Sequence, residues 1–81
     1  MDVTVRYFAA LRETTGRERE TLVLPGGADV AHVRSVLEER YPGLAPVLAR
    51  CAVAVNRAYV STETALGEGD ELAFIPPVGG G

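Results

Sequence analysis

Val3, Val5 and Tyr7 alternate with Thr4 and Arg6 near the start of the chain, a period of two that predicts a strand with one buried face. From Phe8 the pattern changes to helix formers (Ala9, Ala10, Leu11, Arg12, Glu13) and stops at Gly16, a suitable residue for closing a short helix. Residues 18–24 return to alternation, with Glu20, Leu22 and Leu24 on one side and Arg19, Thr21 and Val23 on the other, and Pro25-Gly26-Gly27 ends the segment as a turn. Asp29 is a good N-cap for the main helix, in which Val30, Val33, Leu37 and Tyr41 recur at helical spacing while Arg34, Glu38 and Glu39 fall largely on the other side. Pro42-Gly43 stops that helix, and residues 44–50 hold another turn or two, with Pro46 near its start.

The small and branched run of residues 52–56 reads as a central strand. Asn56-Arg57 predicts a two-residue hairpin turn into residues 58–60, because Asn accepts the left-handed backbone such a turn requires. Residues 66–70 form a loop and residues 71–75 a last strand. The order is strand, short helix, strand, long helix, then three strands. Elements in that order bury their apolar sides as an α+β layer pair. The expected fold is a β-grasp, ubiquitin-like domain: a mixed sheet of about five strands, a main helix packed on one face, and the first and last strands as central neighbours. It predicts a β-grasp body over residues 1–75 and a flexible tail over residues 76–81.

Composition narrows the picture. Eighty-one residues that are 47% hydrophobic support one small core. One cysteine, Cys51, allows no internal disulfide and points to a reducing, cytoplasmic setting. No secretory pattern or membrane-spanning apolar run is visible, so no membrane association is expected. A net charge of −3 argues against nucleic acid as a partner. All eight basic residues are arginine, so no lysine side chain is available to accept an acyl group.

The chain ends in Pro76-Pro77-Val78-Gly79-Gly80-Gly81. Prolines favour an extended course and cannot donate to a sheet ladder. Glycines lack the Cβ that would bar a narrow slot, although on glycine alone a frayed end is the favoured reading. From Pro76 onward the tail spans at most about 20 Å, against a radius of gyration near 12 Å for a domain of this length. In the last strand Phe74 and Ile75 point to opposite faces, and alternation alone leaves open which faces inward. The outward one, with Pro76, Pro77 and Val78, forms an apolar approach to the tail, a candidate docking surface; Tyr59 either joins it or merely covers the sheet.

Other chemistry-bearing residues read as structural. Cys51 is a lone thiol at a strand entrance, and His32 lies in the first turn of the main helix without a second histidine to form a metal site. Glu68, Asp70 and Glu71 lack calcium-loop spacing. Gly26-Gly27 has neither a phosphate-loop lysine nor dinucleotide-binding glycine spacing, so ATP is expected to belong to a partner. Arg6, Arg12, Arg50 and Arg57 are read as solvated or as rim cations.

The opening from Val5 to Glu13, then Val55-Asn56, Val60-Ser61, Gly69-Asp70-Glu71, Phe74, Pro76-Pro77-Val78 and Gly80-Gly81 form a further pattern. Over nearly its whole length the chain resembles the small subunits of molybdopterin synthase (MoaD-like, ubiquitin-like sulfur carriers). The resemblance implies that an adenylating enzyme with ATP activates the Gly81 carboxylate, and that a sulfur donor protein converts it to a thiocarboxylate. The tail then delivers sulfur to a cyclic pyranopterin monophosphate in the large catalytic subunit. Gly81 would be the attachment point without being a catalyst, Gly79 and Gly80 would thread the tail, and Phe74, Ile75, Pro76, Pro77, Val78 and Tyr59 would meet the partner. No catalytic side chain, bound cofactor or metal is expected in this chain. Position 79, commonly alanine, serine or threonine in that family, is glycine here. Alternatives of the same shape are sulfur carriers for thiamine, tRNA thiolation or cysteine synthesis, and a ubiquitin-like protein modifier.

Overall fold

The computed structural model describes residues 1–77. Strand β1 (Asp2–Tyr7) is followed by helix α1 (Ala10–Thr15), strand β2 (Arg19–Val23) and helix α2 (Val30–Arg40). A 3-10 turn (Pro42–Leu44) and helix α3 (Ala45–Leu48) lead to β3 (Ala52–Val55), β4 (Ala58–Val60) and β5 (Glu71–Ile75). The strands form one five-stranded sheet in the order β2-β1-β5-β3-β4. β1 and β5 run parallel, and the other neighbours are antiparallel. This is the β-grasp arrangement, with the last strand at the centre of the sheet.

Local chemistry accounts for the element ends. Gly16 closes α1 at φ 73° and donates its N–H to Arg12. The Asp29 side chain accepts the His32 N–H at 2.9 Å, capping α2. α2 ends at Arg40, so Tyr41 lies just past it rather than in its last turn. Asn56 and Arg57 take φ 49° and 71°, the paired left-handed conformations of a type I′ hairpin turn.

The inner face of the sheet presents Val3, Val5, Tyr7, Leu22, Val53, Leu72 and Phe74 to Val30, Val33 and Leu37 of α2, and Leu11, Leu44 and Leu48 complete the core. Alternation decides membership: successive strand residues point to opposite faces, so β1 buries its odd positions and β5 its even ones. The radius of gyration is 11.7 Å. Among the described residues no helix is long and apolar enough to cross a membrane.

Candidate docking face and chain exit

β5 is hydrogen-bonded on both sides, to β1 and to β3. The chain therefore leaves the domain from an interior strand of the sheet. Phe74 lies in register with Tyr7 on one side and Val53 on the other and is 2% exposed. The expectation that Phe74 meets a partner is thus corrected: its ring fills the core, because the inner face takes the even positions of β5. Ile75 points to the opposite, uncovered face and is half-buried, Pro76 is half-buried and Pro77 is exposed. Both prolines border a depression of about 290 Å³ with Ala10, Pro46, Val47 and Arg50. The tail residues Val78, Gly79, Gly80 and Gly81 lie outside the described residues.

The face that carries Ile75 has a floor of small side chains. Ala54 and Ala73 pair across β3 and β5, flanked in the same row by Arg6 on β1 and Tyr59 on β4. These residues, with Phe8, Arg57, Glu71 and Ile75, line a trough of about 300 Å³. Tyr59 is 71% exposed and belongs to this face. Phe8 is 42% exposed and sits under the Arg6 guanidinium, 5.5 Å from ring centroid to Cζ. Read as the start of a helix, Phe8 was missing from the expected surface. The signal was the alternation itself, since the residue after an inward Tyr7 must face outward.

Several of the remaining candidates have structural partners. The Cys51 Sγ donates to the Val47 carbonyl at 3.2 Å, and burial raises its pKa against the opposing effect of Arg34. His32 is an exposed residue of the first turn of α2. Asp70 accepts from the Gly67 N–H at 2.8 Å and from Asn56 Nδ2 at 3.0 Å, while Glu68 accepts from the Asp2 N–H at 3.0 Å. The acidic loop thus ties the start of β5 to the hairpin turn and to β1. Arg12 pairs with Glu18 at 3.7 Å, both exposed, and Arg6 with Glu71 at 3.9 Å, both half-buried. Among the described residues no group of three or more His, Cys, Asp or Glu side chains is placed to hold a metal ion.

The exit strand lies beside an open trough with an alanine floor and charged walls. The model of the ThiS family matches residues 5–81. The chain belongs to the ThiS family. This ThiS-family chain is 46% identical over 84 residues to the molybdopterin synthase sulfur carrier subunit of Pyrenophora tritici-repentis, covering 96% of this chain and 88% of that protein. Among solved structures it is similar to SAMP1, a small archaeal modifier protein, from Haloferax volcanii, with a TM-score of 0.88, 28% identity and full coverage of both chains. It is also similar to a chain in the complex of subunits 1 and 2 of the molybdopterin-converting factor from Helicobacter pylori, with a TM-score of 0.76, 32% identity and full coverage of both. The ubiquitin-like β-grasp fold of the ThiS-family chain is therefore shared with carriers and with modifiers.

Proposed function

We propose that this chain is the sulfur carrier subunit of a molybdopterin synthase, acting in the cytoplasm with a larger catalytic subunit. The observation that carries the reading is near full-length similarity, at 46% identity, to a protein of that name. The chemistry of the chain end agrees with it. A terminal carboxylate with a pKa near 3.5 is ionised at neutral pH and is a poor electrophile. An ATP-using adenylyltransferase of the ubiquitin-activating type would convert the Gly81 carboxylate to an acyl-adenylate, releasing pyrophosphate. Sulfur delivered by a donor protein at the sulfide level would displace AMP and leave a thiocarboxylate. In the large subunit that sulfur would pass to cyclic pyranopterin monophosphate, and water would replace it on Gly81, restoring the carboxylate. Gly79 and Gly80 would admit the end to both sites, since neither carries a side chain.

In this reading Ile75, Tyr59 and Phe8 dock on the partner, together with Pro76, Pro77 and Val78. The complex of subunits 1 and 2 in the Helicobacter pylori relative supports a large-subunit partner. Deleting Gly81 is expected to leave the fold intact and to abolish sulfur transfer in a reconstituted synthase. Intact-mass measurement should find, in cells making the cofactor, a form heavier by one oxygen-to-sulfur exchange. Unimpaired transfer by the truncated chain would sink the mechanism. The similarity to small archaeal modifier proteins favours one second reading, a protein modifier. That reading requires the chain to be recovered in amide linkage to other proteins, and the same mass measurement on denatured lysate would reveal it.

A further inference from the structure

The Arg6 guanidinium has hydrogen-bonding capacity that the domain does not use. Its Nε–H is buried and has no hydrogen-bond partner among the described residues. Its ion pair with Glu71 is 3.9 Å long, beyond hydrogen-bond reach. Directly opposite Arg6 on the β1–β2 ladder stands Arg19, a like charge in a position where opposite charges stabilise. Arg57 borders the same trough. Among the described residues neither Arg19 nor Arg57 joins an ion pair. Arg6 and Arg57 therefore line the trough with Glu71 as its one acid, and Arg19 stands beside Arg6 on the neighbouring strand, in a chain whose net charge is −3. A buried N–H without an acceptor costs free energy that an incoming oxygen would recover.

The row Arg6, Ala73, Ala54, Tyr59 crosses four strands, or about 14 Å at the usual strand spacing. Its alanine floor leaves room for an apolar side chain of a partner between a cationic end and an aromatic end. We infer that the protein docking here presents an Asp or Glu carboxylate to Arg6, and that Arg6 thereby determines which large subunits this carrier accepts. The inference rests on the reading that a large synthase subunit docks on this face. A carboxylate fits better than a carbonyl because the guanidinium fork matches two carboxylate oxygens and because the face carries excess positive charge. On docking, the guanidinium exchanges its long contact with Glu71 for a paired contact with the partner.

Calorimetric titration of the full-length chain into the candidate large subunit, at low and at physiological salt, tests this. Arg6→Gln should weaken binding about tenfold or more and reduce its salt dependence, Arg6→Glu should weaken it further, and Arg6→Lys should fall between wild type and Arg6→Gln. Arg34→Gln, on α2 at the far side of the sheet, should bind as wild type. Circular dichroism melts establish that each variant is folded, and Arg6→Lys retains the charge should Arg6→Glu fail to fold. Wild-type affinity and salt dependence in Arg6→Gln would overturn the inference and leave the docking reading standing. No binding by the wild-type chain would overturn both.

Discussion

Tyr7 and Tyr41 meet edge to face, with ring centroids 6.4 Å apart and planes inclined at 78°, and both hydroxyls donate at 2.8 Å to the same Glu20 oxygen. Arg40 donates to the other oxygen at 2.8 Å. One carboxylate, 9% exposed, thus joins β1, β2 and the end of α2. Burial alone would raise the Glu20 pKa, but the hydrogen bonds from Tyr7, Tyr41 and Arg40 outweigh it and the pKa is lowered. Burial, reinforced by the bond to Glu20, raises the pKa of Tyr7 and of Tyr41.

This cluster predicts a stability plateau with two limbs. Folded Glu20 binds a proton less readily than unfolded Glu20, so its contribution is complete above the ordinary value of about 4.3 and is lost as pH falls through the folded value. Folded Tyr7 and Tyr41 hold their protons more tightly, so their contribution is complete below about pH 10 and declines as pH rises further. Urea unfolding from about pH 3 to about pH 11 should show both losses. Glu20→Gln should flatten the acid limb, and Tyr41→Phe should cost about 1.5 kcal/mol near neutrality. An unchanged acid limb in Glu20→Gln would refute the assignment.

The hairpin turn separates backbone preference from side-chain bonding. Arg57 takes φ 71° without a glycine's freedom, so Arg57→Gly should stabilise the domain by about 0.5–1 kcal/mol. Asn56 also tolerates its φ of 49°, but its side chain donates to Asp70 and accepts from the Glu71 N–H, both at 3.0 Å. Asn56→Gly should therefore lower stability despite suiting the turn, by about 1 kcal/mol. Thermal melts of the two variants should move in opposite directions. Arg57→Gly should also weaken partner binding if the cationic trough acts as inferred.

Much of this architecture is legible in the chain because alternation and helical spacing report burial directly. Val3, Val5 and Tyr7 announced the inner face of β1, and Asp29 announced the start of α2. What stayed hidden depends on tertiary placement. Phe74 and Ile75 are both apolar, so period two could separate them but could not say which faced the core; pairing with Tyr7 and Val53 decides it. Glu20 sits among Leu22 and Leu24 on the inward side, a position that signals a satisfied polar group only once Tyr7 and Tyr41 are known to converge on it. Ala9 takes φ 49°, and no residue-type signal marks that conformation. The acidic loop was legible as a turn, but its bonds to Asn56 and Asp2 cross long sequence separations.

Cys51 offers a check on where the sulfur chemistry resides. Its thiol is half-buried, bonded to the Val47 carbonyl, and its pKa is raised by burial. A thiol with a raised pKa carries little thiolate at neutral pH and reacts slowly. Cys51→Ala should leave sulfur transfer unchanged and lower stability by about 1 kcal/mol or less. Alkylation of the folded chain should be several-fold slower than after unfolding. Loss of transfer in Cys51→Ala, with folding intact, would give the thiol a role in the chemistry.

Phe74 and Ile75 provide the sharpest separation of folding from docking, because adjacent residues of one strand serve opposite faces. Phe74→Ala removes a ring from a closed core and should cost about 3–5 kcal/mol, a large fraction of the stability of a domain this small. Ile75→Ala trims a half-buried side chain on the open face and should cost about 1 kcal/mol. Binding should show the reverse order once the folded fraction is accounted for. If Ile75 and Tyr59 anchor the partner, Ile75→Ala and Tyr59→Ala should each weaken association with the large subunit about tenfold, with melting nearly unchanged in Tyr59→Ala and lowered by only about 4–8 °C in Ile75→Ala. The alternative role for Tyr59, covering the sheet without contributing to docking, requires the opposite result: a lower melting temperature and unchanged affinity. Measuring both quantities on the same preparations decides between them, since a surface anchor and a structural cover move different observables.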